Sequence, residues 1–460
     1  MAYRTMGGKR RLVVWQLLFV IPFGPMGTRD SVAQQNAPLN LSLDQAIDLA
    51  VKQNHSVRLR SLAVEDMRSK KDAARAGYMP QISAIGGIHH VTELAGIEIP
   101  AGAFGNFSST GPVPAQSLFI DQGADTAYTG GVALEQPITQ LFRIHQANVA
   151  AKQDVLIAQT LLNQVQDAIS VRVRQLYYGI LINQRQLEAS QEQLEAAKIK
   201  DSEAQRDVEH GNALEIATFQ SKASILEAQQ RAFTLKLQGG DLKRQLADLL
   251  GLPIETPIEL DSNLLAQPID VPSRTEATLL ALEQNQDIRA ARHTLEKAKA
   301  GLAAAKDAYI PDITGSSRYS YQSGVPLLEH NFGTFGFSLS YELFDGGRRE
   351  AQVRSARTAV MSAQVSIDRL ESEITVEIHA EYDRVEELKQ MVGVVQQAVQ
   401  VRAEAARLAD RQFEQDALLS AARSQAHADL SNATALLLET NLNLSLAEAE
   451  VKKTIGQSPL

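Results

Sequence analysis

Hydrophobic and polar residues follow a helical period in two similar stretches of the chain, residues 45–78 and 276–309. Alanine and leucine recur there at spacings of three and four, which places them on one face of a helix. Each stretch ends at a Tyr-x-Pro segment, at 78–80 and 309–311, and proline disfavours helix in the residue before it. The pattern therefore predicts one helix in each stretch.

The period then shortens to two, which is typical of strands with one apolar and one polar face. In residues 337–343 every odd-numbered side chain is apolar and every even-numbered one is polar. Residues 132–138 alternate in the same way, except that Gln136 interrupts the apolar row. The pattern predicts strands at about 80–91, 129–139, 311–322 and 333–344.

Long helical runs without a breaker follow each pair of strands, at about residues 143–210 and 348–415. At 1.5 Å per residue each helix would be roughly 100 Å long. A helix of that length needs antiparallel neighbours to bury its apolar face. Residues 215–250 and 419–456 predict such a returning helix after each long one.

The two halves of the chain are copies of each other. Residues 45–82 align with 276–313 at an offset of 231, and residues 134–251 align with 339–456 at an offset of 205, without gaps. Because the first offset is larger, the first copy carries an insertion between 82 and 134, in Gly/Pro/Ser-rich sequence that predicts a surface loop. The predicted organisation is a first repeat at 34–252, a proline-rich connecting segment at 253–272 and a second repeat at 273–460.

The start of the chain, residues 1–33, is typical of a secretory signal peptide. Lys9, Arg10 and Arg11 precede an apolar run at 12–23, and a small-x-small site ends at Ala33. The alternative is a membrane-anchoring helix, but such a helix needs about 20 apolar residues and this run has only about 12. We predict cleavage after Ala33.

Composition narrows the class of protein. The formal net charge of -9 argues against nucleic-acid binding, which needs a basic surface. The absence of cysteine excludes disulfides, thiolate metal sites and cysteine nucleophiles. The sequence contains no familiar catalytic or phosphate-binding motif, and His89 and His90 would point to opposite faces of a strand. We expect neither enzyme activity nor a cofactor or metal site.

Strands with one apolar face occur both in soluble sandwiches and in membranes. The predicted strands are close to the length that a tilted membrane strand needs, and in an exported and otherwise helical chain this favours the membrane. Four strands cannot close around a lumen, and an open edge cannot face lipid, so a barrel must be shared between chains. The predicted fold class is mainly α with a small antiparallel β part. Its duplicated long-helix and β-hairpin repeat forms a trimeric α-barrel tunnel, topped by a shared transmembrane β-barrel of about 12 strands.

These features resemble the TolC-like outer-membrane efflux protein family. The family's repeat begins with a Leu-x-x-Ala-x-x-x-Ala-x-x-x-Asn helix, which stands here at 43–54, and continues to Tyr-x-Pro. It resumes after the hairpin with Phe-Asp-Gly-Gly-Arg-Arg, here at 344–349. The resemblance implies a homotrimer in the lipid of the outer membrane of a Gram-negative cell, with its helices in the periplasm. It also implies docking on a periplasmic membrane-fusion adaptor and an inner-membrane pump of RND or ABC type.

The resemblance also indicates which residues bind the adaptor and narrow the pore. The adaptor contacts are expected at the two helix-to-helix turns, at His210, Gly211, Asn212, Ala213, Leu214, Asp416, Ala417, Leu418 and Leu419. The expected pore-entrance residues are Glu414, Asp416, Ala422 and Gln425. Ala422 and Gln425 stand where some members of the family place aspartates, so acidity would come from Glu414 and Asp416. The alternative is that these two are solvated charges at a helix turn.

Function then depends on the width and lining of a water-filled conduit. The expected lumen-facing strand residues are Ala133, Glu135, Ser338, Ser340 and Glu342. We expect an outer-membrane channel component of a tripartite efflux or type I secretion system, a passive conduit for drugs, metal ions or polypeptides that a pump delivers. The competing interpretations are an exported coiled-coil structural or scaffold protein without a pore, and a periplasmic enzyme or binding protein.

Overall fold

The computed structural model describes residues 39–93, 96–120, 123–261, 270–324, 329–415 and 419–457, which all belong to one compact unit, Pro38–Leu460. The predicted signal peptide at 1–33, with its cleavage site at Ala33, lies outside the described residues. Residues 262–269 of the predicted connecting segment lie outside them too.

Helices make up most of the described chain. In chain order they are α1 (Leu43–Gln53), α2 (His55–Ala76), α3 (Leu141–Glu209), α4 (Ile216–Leu249), α5 (Arg274–Gln284), α6 (Gln286–Asp307), α7 (Arg348–Glu414) and α8 (Ser420–Thr454). The helices α3 and α7 contain 69 and 67 residues. At 1.5 Å per residue, each is about 100 Å long. Their ends lie close to those that the sequence predicts.

The single helices predicted at 45–78 and 276–309 are each two helices, so this prediction was wrong. Asn54 and Asn285 interrupt them, with ψ angles of 131° and 134°. Each asparagine Oδ1 accepts hydrogen bonds from the first backbone N–H groups of the next helix. Each Nδ2 donates to the end of a returning helix, at 3.0 Å to Leu249 O and at 2.9 Å to Thr454 O. Periodicity missed the breaks because the apolar spacing continues across a single capping residue.

Four long strands form one antiparallel sheet. In chain order the strands are β1 (Leu39–Leu41), β2 (Gln81–His90), β3 (Ile97–Ile99), β4 (Asn106–Phe107), β5 (Gly111–Pro112), β6 (Leu118–Ile120), β7 (Thr126–Pro137), β8 (Ile258–Leu260), β9 (Asp312–Ser323) and β10 (Asn331–Ser340). The long sheet has the order β10-β9-β7-β2, so the β7–β9 pair joins the hairpins of the two repeats. The sheet edges are β2 and β10.

The short strands depart from the expected organisation in two places. The insertion, expected to be a loop, contains the antiparallel pairs β3–β6 and β4–β5. The strand β8, within the predicted connecting segment, pairs with β1 in parallel rather than antiparallel orientation. The β part is therefore small, and it is not wholly antiparallel.

The strand predicted at 333–344 ends at Ser340, so Glu342 does not lie in a strand and its assignment as a strand residue was wrong. The chain turns into α7 at Gly346 and Gly347, which have φ angles of 66° and 85°. These left-handed conformations favour glycine. The Asp345 Oδ1 atom accepts a hydrogen bond from the Gly347 N–H at 3.0 Å, which stabilises the turn.

The long helices have different sets of neighbours. The helix α3 packs against α1, α2, α4, α6 and α8, whereas α7 packs against α5, α6 and α8. Most of the largest buried cluster lies where α1, α3 and the end of α4 meet, around Ile47, Tyr177 and Leu246. The Tyr177 hydroxyl donates to Leu41 O at 3.0 Å, and the Tyr382 hydroxyl donates to Pro272 O at the equivalent place in the second repeat.

Among the described helices, none combines the length and the apolar character that a membrane crossing requires.

Candidate functional site

The four-stranded sheet separates polar from apolar side chains. Residues directly opposite each other in an antiparallel pair lie on the same face, so the register assigns each side chain. Glu135 is opposite Ser316, and Ala133 is opposite Arg318. This face is polar along β7 and β9.

The strand β10 extends the polar face. Gly336 is opposite Ser316, and side chains two residues apart point to the same side, so Ser338 and Ser340 lie on the face that carries Glu135. The sheet therefore brings four of the five predicted lumen residues onto one face. Glu342 lies beyond the strand, where it forms an ion pair with Arg348.

The opposite face of the sheet is apolar and exposed. Its exposed side chains include Ile82, Ile88, Tyr128, Val132, Leu134, Tyr319, Tyr321, Phe335, Phe337 and Leu339. Phe335 is 91% exposed and Phe337 is 81% exposed. A contiguous apolar surface of this kind is typical of contact with lipid or with another protein.

One arginine joins the end of the sheet to the start of α7. The Arg349 guanidinium lies 4.9 Å from the ring centre of Tyr341 and 5.5 Å from that of Tyr309. Its Nε donates to Asp345 Oδ2 at 2.7 Å. The hydrogen bonds from Arg349 lower the pKa of Asp345 to about 2. These contacts link Tyr341, just after β10, to the first turn of α7.

The first helix-to-helix turn, which contains the predicted adaptor contacts of the first repeat, connects α3 to α4. Gly211 has a φ of 75°, which closes the turn in a left-handed conformation. The backbone N–H of Asn212 donates to Asp207 O at 2.7 Å. His210, Gly211, Asn212 and Leu214 are exposed and Ala213 is partly exposed. Leu214, at 78% exposure, presents an apolar side chain at the very end of the helix pair.

The second turn is described only in part. Asp416, Ala417 and Leu418 lie outside the described residues. Leu419 is 67% exposed, and its carbonyl accepts hydrogen bonds from the N–H groups of Ala422 and Arg423 at the start of α8.

Glu414, Ala422 and Gln425, the described pore-entrance residues, all lie near the second turn. The Gln425 side chain donates to Asp429 Oδ1 at 2.8 Å, and Asp429 forms an ion pair with Arg402 at 2.9 Å. The amide at position 425 therefore lies beside an acidic group that the sequence pattern did not single out.

A network of charges ties α7 to α8 near the same turn, and sequence reasoning missed it. The Arg423 Nε donates to Asp410 Oδ1 at 2.7 Å, and His427 Nε2 lies 3.0 Å from the same oxygen. The hydrogen bonds with His427 and Arg423 lower the pKa of Asp410. The available signal is that Arg423 and His427 are four residues apart, which places them on one face of α8.

The helix α7 exposes a row of valines whose counterparts in α3 are buried. Val365, Val376, Val394 and Val401 are each 65% to 70% exposed. The residues 205 positions earlier are Thr160, Val171, Ala189 and Ala196, and each of them is less than 5% exposed. The intervals between the four valines are close to whole numbers of helical turns, so they lie on one side of the helix. We call this row the α7 stripe.

The returning helix of the first repeat shows a matching difference. Leu442 in α8 is fully buried in the cluster built on α3, and Leu438 packs against that cluster. Their counterparts in α4 are Leu237 and Phe233, which are 65% and 71% exposed. The apolar side chains of α8 are therefore buried against α3, whereas the equivalent side chains of α4 have no partner within the described chain.

Over the described residues, no group of three or more histidine, cysteine, aspartate or glutamate side chains is arranged to hold a metal ion. The features that stand out are extended surfaces: the two sheet faces, the two turns and the α7 stripe.

Comparison with known proteins identifies a family for both repeats. The family model described as outer membrane efflux protein matches residues 46–252 and 279–457. The structure of the Campylobacter jejuni CmeC outer membrane channel superposes with a TM-score of 0.72 over 90% of this chain and 85% of that one, at 16% identity. This likeness shows a shared fold.

The relatives found by sequence are 22% and 23% identical to this chain. The probable efflux pump outer membrane protein TtgC of Pseudomonas putida is 22% identical over 90% of this chain and 83% of its own length. The alkaline protease secretion protein AprF of Pseudomonas aeruginosa is 23% identical over 53% of this chain. The chain spans about half the length of AprF, 51% of it.

Proposed function

The chain belongs to the outer membrane efflux protein family, and we propose that it is the outer-membrane channel of a tripartite efflux or type I secretion system. The observation that carries this proposal is that the family matches both repeats. Membership makes the chain a transport protein of the outer membrane rather than an enzyme. A coiled-coil scaffold without a pore would not account for the sheet with its exposed apolar face.

Unequal packing of the two repeats supports a closed ring of subunits. The helix α3 contacts both its own repeat and α6 and α8 of the other repeat. Because the second repeat copies the first, α7 should likewise contact α2 and α4 of the other repeat. Within this chain, however, α7 makes no packing contact with α2 or α4 comparable to those of α3 with α6 and α8. The missing neighbours would come from a second copy of the chain, whose α4 would cover the α7 stripe. Such a head-to-tail contact closes into a ring when the rotation allows it.

The sheet supports the same assembly. Its edge strands β2 and β10 run antiparallel to each other within the sheet order, so β10 of one subunit can pair with β2 of the next. Three subunits would give a barrel of about 12 strands without an open edge. The apolar face would contact lipid, and Glu135, Ala133, Ser338 and Ser340 would line the lumen together with Arg318.

The turns would provide the periplasmic contacts. His210 to Leu214 and the partly described turn at Leu419 would bind a membrane-fusion adaptor, through which an inner-membrane pump of RND or ABC type delivers its cargo. Glu414 and Asp429 would add negative charge near the entrance. Transport would be passive in this chain, because a conduit requires only width and lining.

Cysteine cross-linking tests the ring. Gln186 and Glu439 form a hydrogen bond at 3.1 Å between α3 and α8 of one chain, and their counterparts are Met391 and Thr234. With a short bismaleimide, Met391→Cys with Thr234→Cys should produce covalent trimers. The matched control, Gln186→Cys with Glu439→Cys, should link helices within one chain and produce only monomers on a denaturing gel. The wild-type chain contains no cysteine.

Transport and location need a second test. The protein should require detergent for extraction, and a strain that lacks it should become more susceptible to drugs or metal ions, or should fail to secrete a polypeptide. Release with the soluble periplasmic fraction would contradict the channel and favour the scaffold.

A further inference from the structure

Four carboxylates surround one lysine where α3, α7 and α8 meet. Lys453 donates to Glu450 Oε2 at 3.1 Å, and its charge acts on Glu377, Glu381 and Asp167. Together these five residues form what we call the junction cluster. Next to it lies a cavity of about 280 Å³.

The first repeat shows that the fold does not require the carboxyl group of Glu381. Its counterpart, 205 positions earlier, is Leu176, which is 4% exposed and belongs to the main apolar cluster. The counterparts of Glu377, Glu450 and Lys453 are Arg172, Gln245 and Asp248. The equivalent site of the first repeat therefore has one charge of each sign around a leucine, whereas the second repeat has an excess of negative charge around a half-buried acid.

Glu381 is poorly supported as an anion. Its Oε1 accepts a hydrogen bond from the Thr454 hydroxyl at 3.2 Å, and its buried Oε2 has no hydrogen-bond partner among the described residues. Burial, with the nearby charge of Glu377, raises the pKa of Glu381 to about 7. Burial also raises the pKa of Asp167 to about 6, although Lys453 acts in the opposite direction.

The lysine stays charged throughout this range. Burial alone would lower the pKa of Lys453, but the hydrogen bond with Glu450 and the charges of Glu377 and Glu381 raise it overall. One positive charge therefore faces up to four negative ones, and protonation is the remaining way to relieve their repulsion.

We propose that the junction cluster is a protonation switch that tightens the contact between α7 and the end of α8 in acid and loosens it as the pH rises. With Glu381 neutral, the side chain packs as Leu176 does in the first repeat. With Glu381 ionised, repulsion between carboxylates and the unpaired Oε2 atom weaken the contact. The charged groups that face Glu381 and the adjoining cavity are Glu377 on α7, Glu450 and Lys453 on α8, Asp167 on α3 and Asp287 at the start of α6.

The direction of the pH dependence follows from linkage. The folded protein binds the Glu381 proton more tightly than the unfolded chain does, so this stabilisation is complete below the ordinary pKa of 4.5. It is lost as the pH rises towards about 7. One proton changes the opening equilibrium by at most about tenfold per pH unit. Because Glu381 is only partly buried, we expect roughly a tenfold increase in local opening between about pH 5.5 and 8.

Hydrogen–deuterium exchange of the full chain in detergent measures this opening, after correction for the intrinsic pH dependence of exchange. Amides in residues 374–385 and 447–455 should lose protection as the pH rises. Residues 242–250, the segment of the first repeat equivalent to 447–455, are the internal control and should show no such loss. Glu381→Leu and Glu381→Gln should flatten the profile, whereas Glu387→Gln, an exposed acid on the same helix, should leave it unchanged.

Glu377→Gln provides a second test of the switch if the Glu381 variants fail to fold. Glu377 is exposed, so its substitution should preserve the fold, and removing its charge should shift the transition to lower pH. A wild-type profile in Glu381→Gln, or protection that rises with pH, would overturn the switch. Because exchange reports no transport, these results are independent of whether the chain acts as a channel.

Discussion

The substitution Leu237→Ala tests whether Leu237 is buried in a contact between subunits or lies on an exposed surface. In a single chain Leu237 is 65% exposed, and truncation of an exposed leucine changes stability by no more than about 0.5 kcal/mol. Its counterpart Leu442 is fully buried, and truncation of a buried leucine costs roughly 2–5 kcal/mol. If a second chain covers Leu237 as α3 covers Leu442, the loss falls on each of three interfaces. The trimer then loses about 9 kcal/mol, which raises its dissociation constant about a millionfold.

Dilution of the purified protein in detergent, followed by mass photometry, measures this change directly. Wild-type protein should remain trimeric at concentrations where Leu237→Ala has become monomeric. Leu279→Ala is the matched control, because Leu279 is also 65% exposed. Its counterpart Asp48 is exposed as well, and α5 already has its neighbour α7 within the chain. Identical dissociation of Leu237→Ala and wild type would refute the repeat argument, and equal weakening by Leu279→Ala would show a general effect of truncation.

Three further substitutions probe the contacts that recur in the two repeats. Asn285→Ala removes a helix cap and the donor to Thr454 O. It should reduce the free energy of local opening around α6 by about 2 kcal/mol in hydrogen–deuterium exchange. Unchanged exchange in α6 would contradict the capping role. Tyr177→Phe removes the hydroxyl that donates to Leu41 O and Asp261 O. The free energy of unfolding in guanidinium should fall by about 1–3 kcal/mol, whereas a change near zero would show that water replaces the hydroxyl. Gly456→Ala would place a Cβ atom against Gln284 O, at a residue whose φ is 77°. Thermal unfolding should therefore show a loss of about 2 kcal/mol or more in the free energy of unfolding. An unaltered midpoint would mean that the turn rearranges freely.

The sequence predicted the long helices and the faces of the sheet because both depend on strict periods. The ends of α3 and α7 fall where the helical spacing stops, and the alternation at Glu135 and Ser338 fixes their common face once the register is known. A periodic pattern does not reveal a helix break or a turn that depends on one or two residues. It therefore missed the break at Asn54, and it extended β10 past Ser340 into a turn that depends on two glycines.

Contacts between distant residues were not predictable in the same way. The pairing of Asp410 with Arg423 depends on where α7 ends and how α8 returns, and no spacing within one helix encodes it. The α7 stripe is similar, because valines on a helix are ordinary in sequence. Only their exposure, next to the burial of Ala189 and Ala196 at equivalent positions, distinguishes them.

The insertion of the first repeat has a practical consequence. Residues 108–110 form the exposed turn between β4 and β5, and the arm that carries them leaves the long sheet between β2 and β7. The second repeat has only residues 324–330 between β9 and β10, and these two strands still pair, so the pairing of β2 with β7 should not depend on the arm. A peptide epitope placed after Ser109 should therefore be displayed without disturbing the fold, and antibody labelling of intact cells would then report which end of the protein faces outward.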